Sequence, residues 1–184
     1  MSRLTVYPED EPATVELDTS EGDRIAAALR AVPARFERWQ AAVCLARDVS
    51  DAAVMQAYRA DIERLKAECG YQAVDVVRCL PDNPNREQLR RKFLDEHVHD
   101  EDEVRFFVEG AGVFYLRAAG KVHALLCERG DLLGVPAGTR HWFDMGPTPC
   151  FTAIRLFTNP AGWVARFTGD RNAQSFPAFE NLYA

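Results

Sequence analysis

Val54, Tyr58, Ile62, Leu65 and Cys69 recur at intervals of four, four, three and four, while Arg59, Asp61, Glu63, Arg64 and Lys66 fill much of the remainder. An apolar stripe with a charged reverse predicts one amphipathic helix over 51–69, closed by Gly70. Upstream, residues 4–7 predict a short strand ended by Pro8. Ser20 is the expected N-cap of a helix from Glu21 to about Arg30, stopped near Pro33, and Phe36-Glu37-Arg38-Trp39 predicts another strand. After Gly70, the apolar, β-branched run 73–79 predicts a strand, Pro81 to Asn85 a turn, and 86–94 a short helix that delivers the chain to His97.

Beyond residue 97 the texture changes. Segments 103–109, 113–116, 121–126, 131–135 and 151–157 have strand length and are separated by Gly110-Ala111-Gly112, Ala119-Gly120, Gly130 and the stretch 136–149. Short strands with tight turns predict an antiparallel barrel or sandwich, not a βαβ fold. The fold class expected is mainly β with added α. Residues 1–184 are expected to form a single domain, with 1–95 as a helical and strand-bearing elaboration and 96–167 as the barrel core.

Strand parity gives this second half its chemistry. In extended chain His97, His99 and Glu103 project to one face, followed by Arg105, Phe107 and Glu109, while Val104, Phe106 and Val108 take the other as packed exterior or core. His141 arrives after Pro136 and Gly138, a pair suited to a tight reversal that would hold it ready. Three imidazoles and one carboxylate make a borderline donor set, suited to Fe, Ni, Co, Mn or Zn more than to Ca or Mg. The competing reading is ordinary: a His-x-His pair also occurs as surface or hydrogen-bonded histidine, and Asp100-Glu101-Asp102 by itself reads as a solvated loop. His123 has no partner pattern and is expected to be structural or exposed. A closed structural zinc site would more typically use thiolates, and no cysteine stands near these histidines in such a spacing.

Charge and cysteine usage narrow the partners. With 22 basic against 28 acidic side chains the formal net charge is −6, which disfavours nucleic acid and anionic membrane surfaces. Five cysteines without a Cys-x-x-Cys pair fit reduced thiols, no run reaches the ~18 apolar residues of a membrane span, and the first residues lack a signal peptide's apolar block. A cytoplasmic protein is expected.

His97-x-His99-x3-Glu103-x6-Gly110 is similar to the first cupin motif and Gly130-x5-Pro136-x-Gly138-x2-His141 to the second, with Arg91 and Met145 standing where that pattern usually has glycine and asparagine. The chain more specifically resembles the acireductone dioxygenase family. That resemblance lies in Leu4-Thr5-Val6-Tyr7, Glu96-His97-Val98-His99, the run from Glu101 to Gly110, Gly130-Asp131-Leu132, Pro136-Ala137-Gly138-Thr139, the run from His141 to Gly146, Ile154-Arg155-Leu156-Phe157 and Gly162-Trp163-Val164. It covers nearly the whole chain, and Met145 belongs to it.

The resemblance implies a cupin double-stranded β-helix, or jelly-roll, barrel with N-terminal helices. It further implies one Fe(II) or Ni(II) per chain on His97, His99, Glu103 and His141, and 1,2-dihydroxy-5-(methylthio)pent-1-en-3-one and dioxygen as the small-molecule partners of a monomer in methionine salvage. The family's iron form gives 4-methylthio-2-oxobutanoate and formate; its nickel form gives 3-(methylthio)propanoate, formate and carbon monoxide. On a six-coordinate metal four protein ligands leave two positions for a substrate dianion. Arg105 is the expected partner of its second negative charge. Arg155 is open between a substrate role and a structural ion pair. Phe107, Phe143 and Trp163 are open between a wall for the methylthio end and ordinary core, and Glu96 or Asp102 is a candidate for handling a proton. The alternatives are another cupin metalloenzyme, an isomerase or oxygenase, or a non-catalytic ligand-binding cupin.

Overall fold

A computed structural model describes residues 1–159, 161 and 164–182. In chain order the elements are β1 (Arg3–Pro8), β2 (Leu17–Thr19), α1 (Gly22–Leu29), β3 (Arg35–Arg38), α2 (Asp51–Ala57), α3 (Arg59–Cys69), β4 (Ala73–Cys79), α4 (Arg86–Leu94), β5 (His97–Val98), β6 (Glu103–Ala118), β7 (Lys121–Glu128), β8 (Asp131–Val135), β9 (Arg140–Asp144), β10 (Phe151–Phe157) and β11 (Arg166–Phe167), followed by the short helix α5 (Phe179–Leu182). The strands pair antiparallel throughout. One run of strands is ordered β11-β5-β9-β6-β7-β1-β2, and a second, β4-β10-β6-β8-β3, shares β6 with it. The result is a cupin-like β core with helices on its N-terminal side.

β6 is the frame of the molecule. The glycines at 110 and 112, expected to mark a turn between two strands, lie inside one continuous strand of 16 residues. Its first half pairs with β10 and β8, its second with β7 and β9. Glycine is required there for approach: Gly110 has φ +67°, and a Cβ on it would stand 1.7 Å from the Cys150 carbonyl oxygen.

The register also slips by one residue, since Glu109 faces Thr152 while Phe107 faces Ala153, leaving Val108 as an extra residue. Such a bulge reverses the alternation of faces. Phe107 therefore points into the barrel with Phe114, Phe143 and Phe151, whereas Glu109, expected on the same face, turns outward and accepts a hydrogen bond from Thr152 Oγ1 at 2.8 Å.

Three apolar layers follow. The barrel interior holds Phe107, Phe114, Leu125, Phe143 and Phe151. Val104, Phe106, Val108, Leu132 and Ile154 face outward against Val54, Tyr58, Ile62 and Leu65, so the sequence stripe finds its core. Tyr115, Val122 and Trp142 pack beneath Phe176 of the C-terminal segment. Each large buried side chain contributes roughly 1.5–3 kcal/mol of hydrophobic stabilisation.

The expected helix over 51–69 is two helices. At Tyr58 the backbone leaves helical geometry, with φ −109° and ψ 21°, where its ring packs edge-on against Phe106 at 5.5 Å. Ser50 caps α2 by accepting from Ala53 N–H, and Gly70 ends α3 in the left-handed region as expected. Cys69, placed on the buried stripe by spacing, is exposed at the helix end. Glu21, not Ser20, is the N-cap of α1; its N–H donates to Thr19 Oγ1. A strand the hydrophobic pattern did not announce, β9, lies within 136–149 and carries His141 as its second residue.

Candidate metal centre

His97 opens β5 and stands directly opposite His141 of β9, so backbone pairing sets the two imidazoles side by side with ring centroids 4.4 Å apart. His99, two residues on, lies 5.2 Å from the first ring and 5.0 Å from the second. One ligand-type atom from each of the three histidines lies within 4.8 Å of the others. The two motif segments are tied together by backbone donors: Gly138 N–H donates to the His99 carbonyl at 2.8 Å, and Ala137 N–H to Asp102 Oδ1 at 2.8 Å.

The tautomers follow from the partners. Nδ1 of His97 meets the Asp95 carbonyl at 2.8 Å, Nδ1 of His141 the Thr139 carbonyl at 2.8 Å, and Nδ1 of His99 the Val164 carbonyl at 2.7 Å. A carbonyl only accepts, so each Nδ1 carries a proton, and each ring when neutral offers its lone pair at Nε2. Burial keeps two rings neutral: it lowers His97, and with the neighbouring His97 it holds His141 down to about 3. At His99 burial opposes charge, but the Glu103 carboxylate outweighs it and raises the ring.

Glu103 is the first residue of β6 and 1% exposed. Its Oε2 lies 2.9 Å from His99 Nε2, and its Oε1 accepts from Arg105 Nη2 at 2.6 Å and Nε at 3.1 Å. The Oε2 contact is a close approach without hydrogen-bond alignment, so Oε2 remains a buried acceptor lacking a hydrogen bond. Burial alone would raise this carboxyl; Arg105 and His99 hold it well below the usual range. The Arg105 guanidinium, 2% exposed, sits 4.7 Å from the Phe114 ring centre and 5.2 Å from that of Phe143. Burial pulls its pKa below the ordinary value, though an arginine stays charged.

Glu103 Oε2, Arg105 Nη1 and His141 Nε2 are buried polar atoms without hydrogen-bond partners among the described residues. Native proteins leave few such atoms unexplained. An unfilled carboxylate oxygen and an imidazole lone pair in one place are what a divalent cation satisfies, so the donor set fits a transition metal.

The remaining residues singled out by sequence fall elsewhere. Phe107 and Phe143 are 0% and 1% exposed and pack within the barrel core, where Phe143 lies against Arg105. Arg155 stands opposite Arg105 in register and forms a two-point ion pair with Asp75 at 2.8 and 2.6 Å. Glu96 has both oxygens engaged, one by Arg117 at 2.9 Å and one by Thr168 Oγ1 at 2.8 Å. Asp102 is exposed and fastens the 136–139 turn. His123 is buried, with Nδ1 3.4 Å from the Leu116 carbonyl. Trp163 lies outside the described residues. Sequence reasoning missed Arg117, which joins Glu9, Glu96 and Asp170, and Phe167, whose ring stands 5.7 Å from that of His97. The three carbonyls behind the histidines have no side-chain signature at all.

Comparison with known proteins agrees with this geometry. The chain is 59% identical over 181 residues to an acireductone dioxygenase of Parvibaculum lavamentivorans (strain DS-1 / DSM 13023 / NCIMB 13966), covering 98% of each chain. It is 55% identical over 179 residues to one of Stenotrophomonas maltophilia (strain R551-3), covering 97% of each. In three dimensions it is similar to an acireductone dioxygenase from Bacillus anthracis with a cadmium ion in its active centre, at 27% identity and a TM-score of 0.77 over 91% of this chain and 98% of that one. The ARD/ARD' family profile matches residues 3–165, and with these relatives it shows that the chain belongs to the ARD/ARD' family.

Proposed function

We propose that this chain is an acireductone dioxygenase of methionine salvage, cleaving 1,2-dihydroxy-5-(methylthio)pent-1-en-3-one with dioxygen. The observation that carries the reading is the group of three buried imidazoles, each fixed through Nδ1 to a backbone carbonyl, beside the Glu103 carboxylate. His97, His99, His141 and Glu103 would hold one Fe(II) or Ni(II). Such an ion supplies Lewis acidity and a path for electrons between an enediol and dioxygen.

The chain's own residues do the rest. Arg105 spends Nε and Nη2 on Glu103 and keeps Nη1 as a buried donor for an enediolate oxygen. A cation in an apolar surrounding favours the anionic form of the substrate over the neutral one. The rings of Phe114 and Phe143 lie against that guanidinium, with Phe107 packed behind them, an apolar floor that disfavours water on that side. Arg155, opposite Arg105 in register, has its charge matched by Asp75 and serves the sheet as a structural ion pair. The five cysteines are free thiols, which supports a reducing cytoplasm as the setting.

Metal-free protein reconstituted anaerobically with Fe(II) or with Ni(II) and then given acireductone and oxygen tests the reading. Expected are 4-methylthio-2-oxobutanoate and formate from the iron form, and 3-(methylthio)propanoate, formate and carbon monoxide from the nickel form. Absence of oxygen uptake in both forms refutes the assignment.

A further inference from the structure

We propose that Phe167 contacts the apolar, sulfur-bearing tail of the substrate and sets the preference among acireductones that differ there; this rests on the dioxygenase reading above. Phe167 stands opposite His97 in the β11–β5 ladder, His97 opposite His141 in β5–β9, and His141 opposite Leu116 in β9–β6. Residues directly opposite in antiparallel ladders project to the same face. The four side chains therefore form one row that runs from the closed core to the open edge of the sheet. Leu116 is 0% exposed and both histidines 2%, whereas Phe167 is 49% exposed.

That gradient separates Phe167 from Phe107 and Phe143, the two described aromatic residues named for this role by sequence. Phe107 and Phe143 are consumed by packing and have no ring face to offer without opening the core. Phe167 meets His97 edge-on, at 61° between ring planes, and leaves much of its ring in solvent. The strand that carries it is pinned on both sides: Arg166 pairs with Asp100 at 2.6 Å, and Thr168 N–H donates to the Glu96 carbonyl at 3.0 Å while its hydroxyl donates to Glu96 Oε1 at 2.8 Å. Pinning an exposed aromatic beside a metal ligand preserves a surface that an apolar thioether covers well, and sulfur on an aromatic ring is a favourable contact.

The test compares native protein, Phe167→Ala and Phe167→Leu, all loaded with Fe(II) and matched for metal content. Two substrates are used, the methylthio acireductone and an analogue whose tail is cut back to methyl. The ratio of kcat/KM for the two cancels any shared loss from altered metal loading. Truncating one apolar contact changes such a ratio by about tenfold, so the native preference for the methylthio compound should fall by about that factor in Phe167→Ala and largely persist in Phe167→Leu. Anaerobic calorimetric titration should give the same ordering in Kd. An unchanged ratio in Phe167→Ala, or equal losses on both substrates, overturns the role of Phe167 alone. Native protein that consumes neither compound overturns the dioxygenase reading and this inference with it.

Discussion

Replacing Arg105 by methionine keeps much of the side chain's length and removes its charge, which isolates what the guanidinium does for Glu103. Two N–H groups converge on Oε1 at 2.6 and 3.1 Å, and neither residue is more than 2% exposed. Breaking a buried ion pair by removing one partner costs about 3–5 kcal/mol, because the other charge stays in the interior uncompensated. The loss should depend on pH with a definite sign. In the native protein the Glu103 pKa lies below its unfolded value, so its contribution is present above about pH 4.5 and vanishes as pH falls through the lowered value. In Arg105→Met burial is opposed only by the neighbouring histidines and the pKa rises from its native value, so the penalty is largest at neutral pH and is relieved on acidification by protonation. Urea unfolding of metal-free protein at pH 7.5 and 4.5 measures this, with the larger difference between the two proteins expected at pH 7.5. In a Glu103→Gln background the same substitution should lose much of its effect, giving a coupling energy of about 2–3 kcal/mol. Additivity to within about 0.5 kcal/mol would refute the argument that the pair is one electrostatic unit.

His141→Ala should lower bound metal from one ion per chain to a small fraction while leaving the far-ultraviolet circular dichroism of the barrel in place; full metal content would exclude His141 as a ligand. Metal-free protein should lose stability as pH falls from 6.5 toward 4.5, since the unfolded His141 takes up a proton that the folded ring, at about 3, refuses. The slope is about 1.4 kcal/mol per pH unit for that group. His97 acts in the same direction and His99 in the opposite one, so the difference in slope between native protein and His141→Gln reports His141, and parallel curves would refute it. Gly120→Ala has open space and φ +72° and should cost about 1–2 kcal/mol by thermal melting, whereas Gly110→Ala must also displace the Cys150 carbonyl and should cost more. Equal melting temperatures for the two would contradict the close approach at 110.

Side-chain alternation carried a large share of the site into the sequence. His97 and His99 by parity, and His141 after a proline-glycine reversal, are where local chemistry is strong enough to be read without a fold. The break at Tyr58 escaped because an unbroken apolar spacing runs through it, and its ring's partner Phe106 is nearly fifty positions away. β6 escaped because glycine punctuates a turn and permits a close strand crossing equally well, and only Cys150 decides between them. Glu109 changed face through a bulge, and one extra residue in a ladder has no signature in a hydrophobic pattern. Arg117 looked like any charged residue until Glu9, Glu96 and Asp170 met around it.

Sharing β6 between two sheets bears on how the molecule acquires its affinity for metal. Glu103 is set by neighbours of the first half of β6, and His141 by pairing with its second half. Neither half, folded by itself, assembles the donor set, and the partners come from distant stretches of chain whose meeting closes long loops late. Metal uptake during refolding should therefore trail secondary structure and coincide with final consolidation, making the ion a reporter of completed assembly and not its seed.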